Sequence, residues 1–143
     1  MFKRILVSVD LDAPFDWDKT FPTAADLARQ WGASLDVMTV VPDFGMSMVS
    51  QFFPTGYEKK MATMVMDRLR EQVDSRLPEG MTASHLVGEG NVYEAVLQMV
   101  GERKIDLVVI GAHRPELSDY LLGPNAARVV RHAHCSVLVV RHR

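Results

Sequence analysis

The sequence predicts an open, mostly parallel five-stranded α/β sheet with helices on both faces. Three observations carry that prediction. Short, continuous Val/Ile/Leu runs stand at residues 5–9, 35–41, 105–110 and 136–140, as expected of strands buried on both faces. Between the runs lie segments whose apolar residues recur at helical spacing. The resulting order, β-α-β-α-β-α-β-α-β, favours parallel strands joined by right-handed crossovers. No internal repeat, linker or low-complexity stretch interrupts it, so residues 1–143 are expected to form one domain.

The elements follow in order. Ile5-Leu-Val-Ser-Val9 reads as the first strand, stopped at Asp10. Residues 11–18, with Pro14 and aspartates at 12, 16 and 18, read as a loop. Phe21, Ala24, Ala25, Ala28 and Trp31 form the apolar stripe of a helix that stops at Gly32. Leu35-Asp-Val-Met-Thr-Val-Val41 is the second strand. Residues 42–56 carry Pro42, Gly45, Pro54 and Gly56 and read as a long irregular loop. Its Met46, Met48, Phe52 and Phe53 suit packing over an edge or a partner subunit, or a lid over a ligand.

Met61, Val65, Leu69 and Val73 recur every four residues and predict one long helix ended by Pro78 and Gly80. A weaker strand covers residues 82–87. Asn91 and Glu94 have the spacing of a capping box, with Val92, Ala95, Val96, Met99 and Val100 as the buried stripe behind it. The last stretch, residues 105–141, reads strand, loop, helix, strand. A loop leaving the carboxyl end of a buried strand and entering a helix is where α/β proteins bind phosphates.

Composition bounds the function. The chain has 143 residues, 48% hydrophobic and 24% charged, which is ordinary for a globular domain with its own core. A formal net charge of -2 gives no electrostatic case for nucleic acid or a membrane surface. The apolar run after Lys3 and Arg4 ends too early, at Asp10, for a signal peptide, and no run approaches a membrane span. The single cysteine, Cys135, excludes an internal disulfide and fits a reducing cytoplasm. It precedes an apolar strand and reads as an inert core thiol. His132 and His134 lack a third ligand at zinc-like spacing, so a metal site is not expected. No nucleophile with a positioned base is evident, which argues against dedicated catalysis.

Several stretches together resemble the universal stress protein family over essentially the whole chain. Ile5-Leu-Val-Ser-Val-Asp10 resembles the family's opening strand and acidic residue, and Gly88-Glu-Gly-Asn91 its turn before the third helix. The strongest likeness is Val109-Ile-Gly-Ala-His-Arg-Pro115 through Tyr120-Leu-Leu-Gly-Pro-Asn-Ala126 to Val137-Leu-Val-Val-Arg141. The His-Arg-Pro loop and the Gly-x-Asn-Ala turn look most like the F/G-type branch. Many members bind ATP through a loop of glycine, two residues, glycine, nine residues, glycine, then serine or threonine. Here Arg114 stands in place of the second glycine, the spacing to Gly123 is one residue shorter, and Pro124 replaces the hydroxyl residue.

The resemblance implies a site. Ser8, Asp10, Val40, Ile110 and Gly111 would surround adenosine, and Gly111, Arg114, Gly123, Pro124 and Asn125 would face the phosphates, with His113 beside them. Ser8 replaces a frequent proline of the family. Glycines let the backbone approach a phosphate and adopt positive φ, and a helix N-terminus supplies N–H groups and dipole. Pro124 suits the first helical position but offers neither N–H nor hydroxyl. Asn125 and Arg114 can supply donors instead. Against this stand plainer roles: Asp10 capping the next turn, Arg114 and His113 solvated, and Gly-Pro-Asn merely starting a helix.

The function so implied is a cytoplasmic stress-response regulator binding ATP or AMP, with or without magnesium. A nucleotide-independent dimeric adaptor and a slow ATP hydrolase are the other readings. A homodimer is expected through Ser136–Val140, which the resemblance places at a sheet edge, because an exposed apolar edge must be paired or covered.

Overall fold

The computed structural model describes residues 1–41, 57–112 and 122–141. The expected loop at residues 42–56 lies outside them. Five parallel strands form one sheet: β1 (Arg4–Ser8), β2 (Ser34–Val41), β3 (Ser84–Glu89), β4 (Leu107–Gly111) and β5 (Ser136–Val140). Their spatial order is β3-β2-β1-β4-β5. The connecting helices are α1 (Phe21–Trp31), α2 (Tyr57–Asp74), α3 (Val92–Glu102) and α4 (Pro124–His132).

Strand alternation divides the core in two. Ile5, Val7 and Val9 of the first run, Leu35 and Val37 of β2, and Leu107 and Val109 of β4 pack with α1 and α2. Leu6, Met38, Val108 and Ile110 point the other way and pack with Ala95 and Val96 of α3 and Ala126 and Val129 of α4. A strand with apolar cover on both sides needs apolar residues at successive positions, which is why these runs do not alternate with polar residues.

The order β3-β2-β1-β4-β5 sets a topological switch point between β1 and β4. The chain first moves outward through β2 and β3, then returns to the far side of β1. The carboxyl ends of β1 and β4 therefore stand side by side, with Ser8 opposite Ile110, and their connections leave in opposite directions. Such a divergence opens a crevice.

Four sequence expectations are corrected. Within the expected loop at residues 11–18 a π-helical turn begins, Asp16–Thr20, which runs directly into α1, with the Phe21 N–H donating to the Asp16 carbonyl. Nothing in the local apolar spacing announces it; tertiary partners fix it. Trp31, placed on the buried stripe of α1, is 37% exposed and meets Phe2 edge-on at 5.3 Å. The capping box is only half made. The Asn91 side chain accepts from the Tyr93 N–H at 3.0 Å, whereas Glu94 accepts from the Tyr93 hydroxyl at 3.2 Å. Finally, β5 and Cys135 are half-buried rather than enclosed, because β5 is an edge strand.

Candidate functional site

At the switch point lies a cavity of about 410 Å³. Its lining includes Ser8 and Asp10 at the end of β1, Val40 of β2, Ile110 and Gly111 of β4, and Gly123, Pro124 and Asn125 at the start of α4. Those are all the sequence-predicted site residues that fall within the described residues. His113 and Arg114 lie outside them. Val9, Asp16, Thr39, Val92, Leu122 and Ala126 are the other described residues of the lining and were missed by sequence reasoning. Volume alone does not single the cavity out: a groove of about 430 Å³ beside His132, His134 and Cys135 is as large. What distinguishes it is the meeting of strand carboxyl ends with a helix N-terminus.

Asp10 shapes one end. It is exposed, and its Oδ1 accepts from the Asp12 N–H at 2.9 Å, so the turn-capping role is real. Its own N–H donates to Asp16 Oδ2 at 2.8 Å. Asp16 is fully buried, and its Oδ1 also accepts from the Thr20 hydroxyl at 2.8 Å. Burying a carboxylate is tolerable only with such donors.

Gly111 explains how Asp16 fits, and corrects the reason expected for this glycine. It does not take a positive φ. A Cβ there would stand 2.7 Å from Thr20 Oγ1 and 2.8 Å from Asp16 Oδ1. The glycine is needed because the π-helical turn presses against the end of β4. The signal in the sequence was weak: Asp16 and Thr20 are four apart, but nothing there pairs them with position 111.

The other end is the start of α4. Gly123 precedes the helix with φ 86, a backbone region that favours glycine, and Pro124 fills the first turn. No side chain caps this terminus, and the Ala127 N–H already donates to the Gly123 carbonyl at 3.1 Å. Asn125 and Ala126 line the cavity with first-turn positions whose N–H groups lack intrahelical acceptors. Arg131 and His132 sit in the last turn of α4, where cations complement the dipole. Val40, Val92, Ile110 and Leu122 supply apolar wall.

The cavity lining thus brings together carboxylate acceptors, first-turn N–H donors and apolar side chains. Elsewhere, burial pushes the Cys135 thiol above its ordinary range, which disfavours the thiolate. Among the described residues, no group of three His, Cys, Asp or Glu side chains converges as a metal site.

The model of the Universal stress protein family matches residues 1–141. The chain belongs to the universal stress protein family. Universal stress protein G of Salmonella typhimurium is 32% identical, over 99% of this chain and 100% of its own. Among solved structures, universal stress protein UspA from Lactobacillus plantarum superposes with a TM-score of 0.71 at 23% identity, covering 97% of each chain. A universal stress protein in complex with cAMP gives 0.61 at 21% identity, over 97% of this chain and 96% of that one. One from Archaeoglobus fulgidus in complex with dAMP gives 0.60 at 18% identity, over 96% and 97%. These structural likenesses establish the Rossmann-like fold of the family. Among the described residues, no helix of this universal stress protein is long and apolar enough to cross a membrane.

Proposed function

We propose that residues 1–143 act as one cytoplasmic stress-response domain that binds an adenine nucleotide, AMP or ATP, at the carboxyl edge of the sheet. One observation carries the reading: Ser8, Asp10, Val40, Ile110, Gly111, Gly123, Pro124 and Asn125, scattered through the sequence, line one cavity. Its chemistry suits a nucleotide. The apolar walls fit a base, Asp10 accepts ribose hydroxyls or an exocyclic amine, and the α4 N-terminus receives phosphate. Family members in complex with cAMP and dAMP support the choice of adenine. Calorimetric titration with AMP and with ATP, in magnesium, tests it. Binding at micromolar to millimolar nucleotide is expected; no heat and no thermal shift overturns the reading.

A second reading, a nucleotide-independent dimeric adaptor, is favoured by Pro124, which removes an N–H from the phosphate end. The same titration separates the two. Slow ATP hydrolysis is the weakest of the three and is tested by ADP release. In either of the first two readings β5 pairs with the same strand of a second copy. Its edge position and half-buried apolar residues support that pairing. Light scattering should report a dimer at tens of micromolar, and Val139→Pro should split it.

A further inference from the structure

We infer that Gly88 is a positioning residue that seats α3 against the cavity and thereby selects the class of base that a bound nucleotide carries. Resting on the nucleotide reading above, this role adds base selection to it. Gly88 lies in β3, opposite Val40 of β2. A Cβ at position 88 would stand 2.5 Å from Met38 Cε, 3.1 Å from the Ala95 Cβ and 3.5 Å from Val40 Cγ2. Its φ is not positive, so backbone conformation does not call for glycine. Close approach does: a glycine inside a strand marks a place where another element comes near. Here that element is α3, whose Ala95 packs where a side chain would otherwise stand.

This approach bears on the cavity through Val40, beside Gly88, and through Val92, both of which line it. Val92 stands three residues before Ala95, on the same face of α3. Both valines pack against the cluster that holds Met38 and Ala95. The turn between β3 and α3 is pinned, because the Gly90 N–H donates to the Val41 carbonyl at 2.7 Å. A side chain at position 88 therefore acts on the first turns of α3. The end of Met38 can swing aside, since methionine is unbranched and flexible. The Ala95 Cβ cannot, because it is fixed to the helix backbone. The helix has to back away and carries Val92 with it. Glycine at 88 thus keeps Val40 and Val92 on one continuous apolar wall. Apolar contact grows with the area covered, so a continuous wall favours a purine over the smaller pyrimidine ring.

The test is calorimetric titration of the wild type and of Gly88→Ala, in the full chain, with AMP and UMP. The two ligands share ribose and phosphate and differ in the base. The wild type should favour AMP. Gly88→Ala should lower the ratio of AMP to UMP affinity about threefold, less than the roughly tenfold of a lost methylene contact, because the wall is moved and not removed. A purely structural glycine would lower the melting temperature and weaken both ligands alike, so an unmoved ratio overturns the inference. Adding Ala95→Gly to Gly88→Ala removes the atom in the way and should restore the ratio; a ratio that stays low overturns the assignment to α3. If Gly88→Ala does not fold, Val92→Ala reads the wall directly. It should lower the same ratio, and equal weakening of AMP and UMP overturns the inference. Wild-type protein that binds AMP and UMP equally overturns base selection alone, whereas wild-type protein that binds neither overturns the nucleotide reading as well.

Discussion

The two ends of the sheet use aspartate in opposite ways. At the amino end, Asp106 accepts from the Lys3 and Arg4 N–H groups at 2.8 and 2.9 Å, tying β4 to the start of β1. Nearby, Asp36 on β2 is almost completely buried and meets the Arg103 guanidinium at 2.6 and 3.3 Å, fastening the end of α3. These carboxylates are engaged in holding the fold. At the carboxyl end, Asp10 and Asp16 also have partners, but they line a cavity that faces a helix N-terminus. The contrast shows that residue type does not mark a site here. Strand direction does, because the switch point lies only at the carboxyl end.

The largest expected effect breaks the amino end alone. Arg103→Ala leaves Asp36 buried without its cation and should cost about 3 kcal/mol, at the low end for a broken buried pair because Arg103 itself is partly exposed. Urea denaturation measures the loss. Nucleotide affinity of the folded variant should be unchanged, and a matching loss of affinity would dissolve the separation between the two ends.

Gly111→Ala attacks the carboxyl end. The new methyl must displace Thr20 and Asp16, so a stability loss of about 1–3 kcal/mol is expected, together with weakened binding. Retained affinity in calorimetry would show that the π-helical turn does not shape the cavity. Pro124→Ser restores a backbone donor and a hydroxyl at the start of α4, which tolerates serine well. ATP should tighten about tenfold, and AMP less. Equal ATP affinity before and after would show that this position does not touch phosphate.

The smallest effect is a pH dependence. Burial alone would raise the Asp106 carboxyl, but the N–H groups of Lys3 and Arg4 outweigh it and hold it below the usual carboxylate range. A depressed carboxyl contributes stability in full above about pH 4, its unfolded value, and loses it as pH falls through the folded value. The stability gap between the wild type and Asp106→Asn should therefore be constant near neutrality and shrink in acid. A gap that widens in acid would reverse the assignment. The Arg103 guanidinium, hydrogen-bonded and paired with Asp36, is held above its already high ordinary value.

Much of the fold was legible because burial on both faces leaves a local mark. The run Ile5-Leu-Val-Ser-Val9, the stripe Ala95, Val96 and Met99, and the length of α2 all follow from periodicity. The site was legible in outline, since Asp10, Gly111 and Gly123 punctuate strand and helix ends. Trp31 misled because an apolar residue at the right spacing still lies at the rim of the helix, where Phe2 covers only one edge. Asp36 gave no warning either, a charge inside an apolar run whose partner lies 67 residues away.

The sequence by itself determined the strands and helices, their alternation, the universal stress protein likeness and most of the cavity-lining residues. These depend on side-chain pattern within a few residues, which the chain carries locally. Only the tertiary structure decided that Asp16 is buried, that its turn is π-helical, and that Gly111 is small for the sake of Thr20 and Asp16 rather than of a positive φ. Those facts need the ends of β1 and β4 to be neighbours, and that closeness arises from the order β3-β2-β1-β4-β5. Hydrogen bonding and close approach across such a gap depend on distances in space, which residue spacing along the chain does not record.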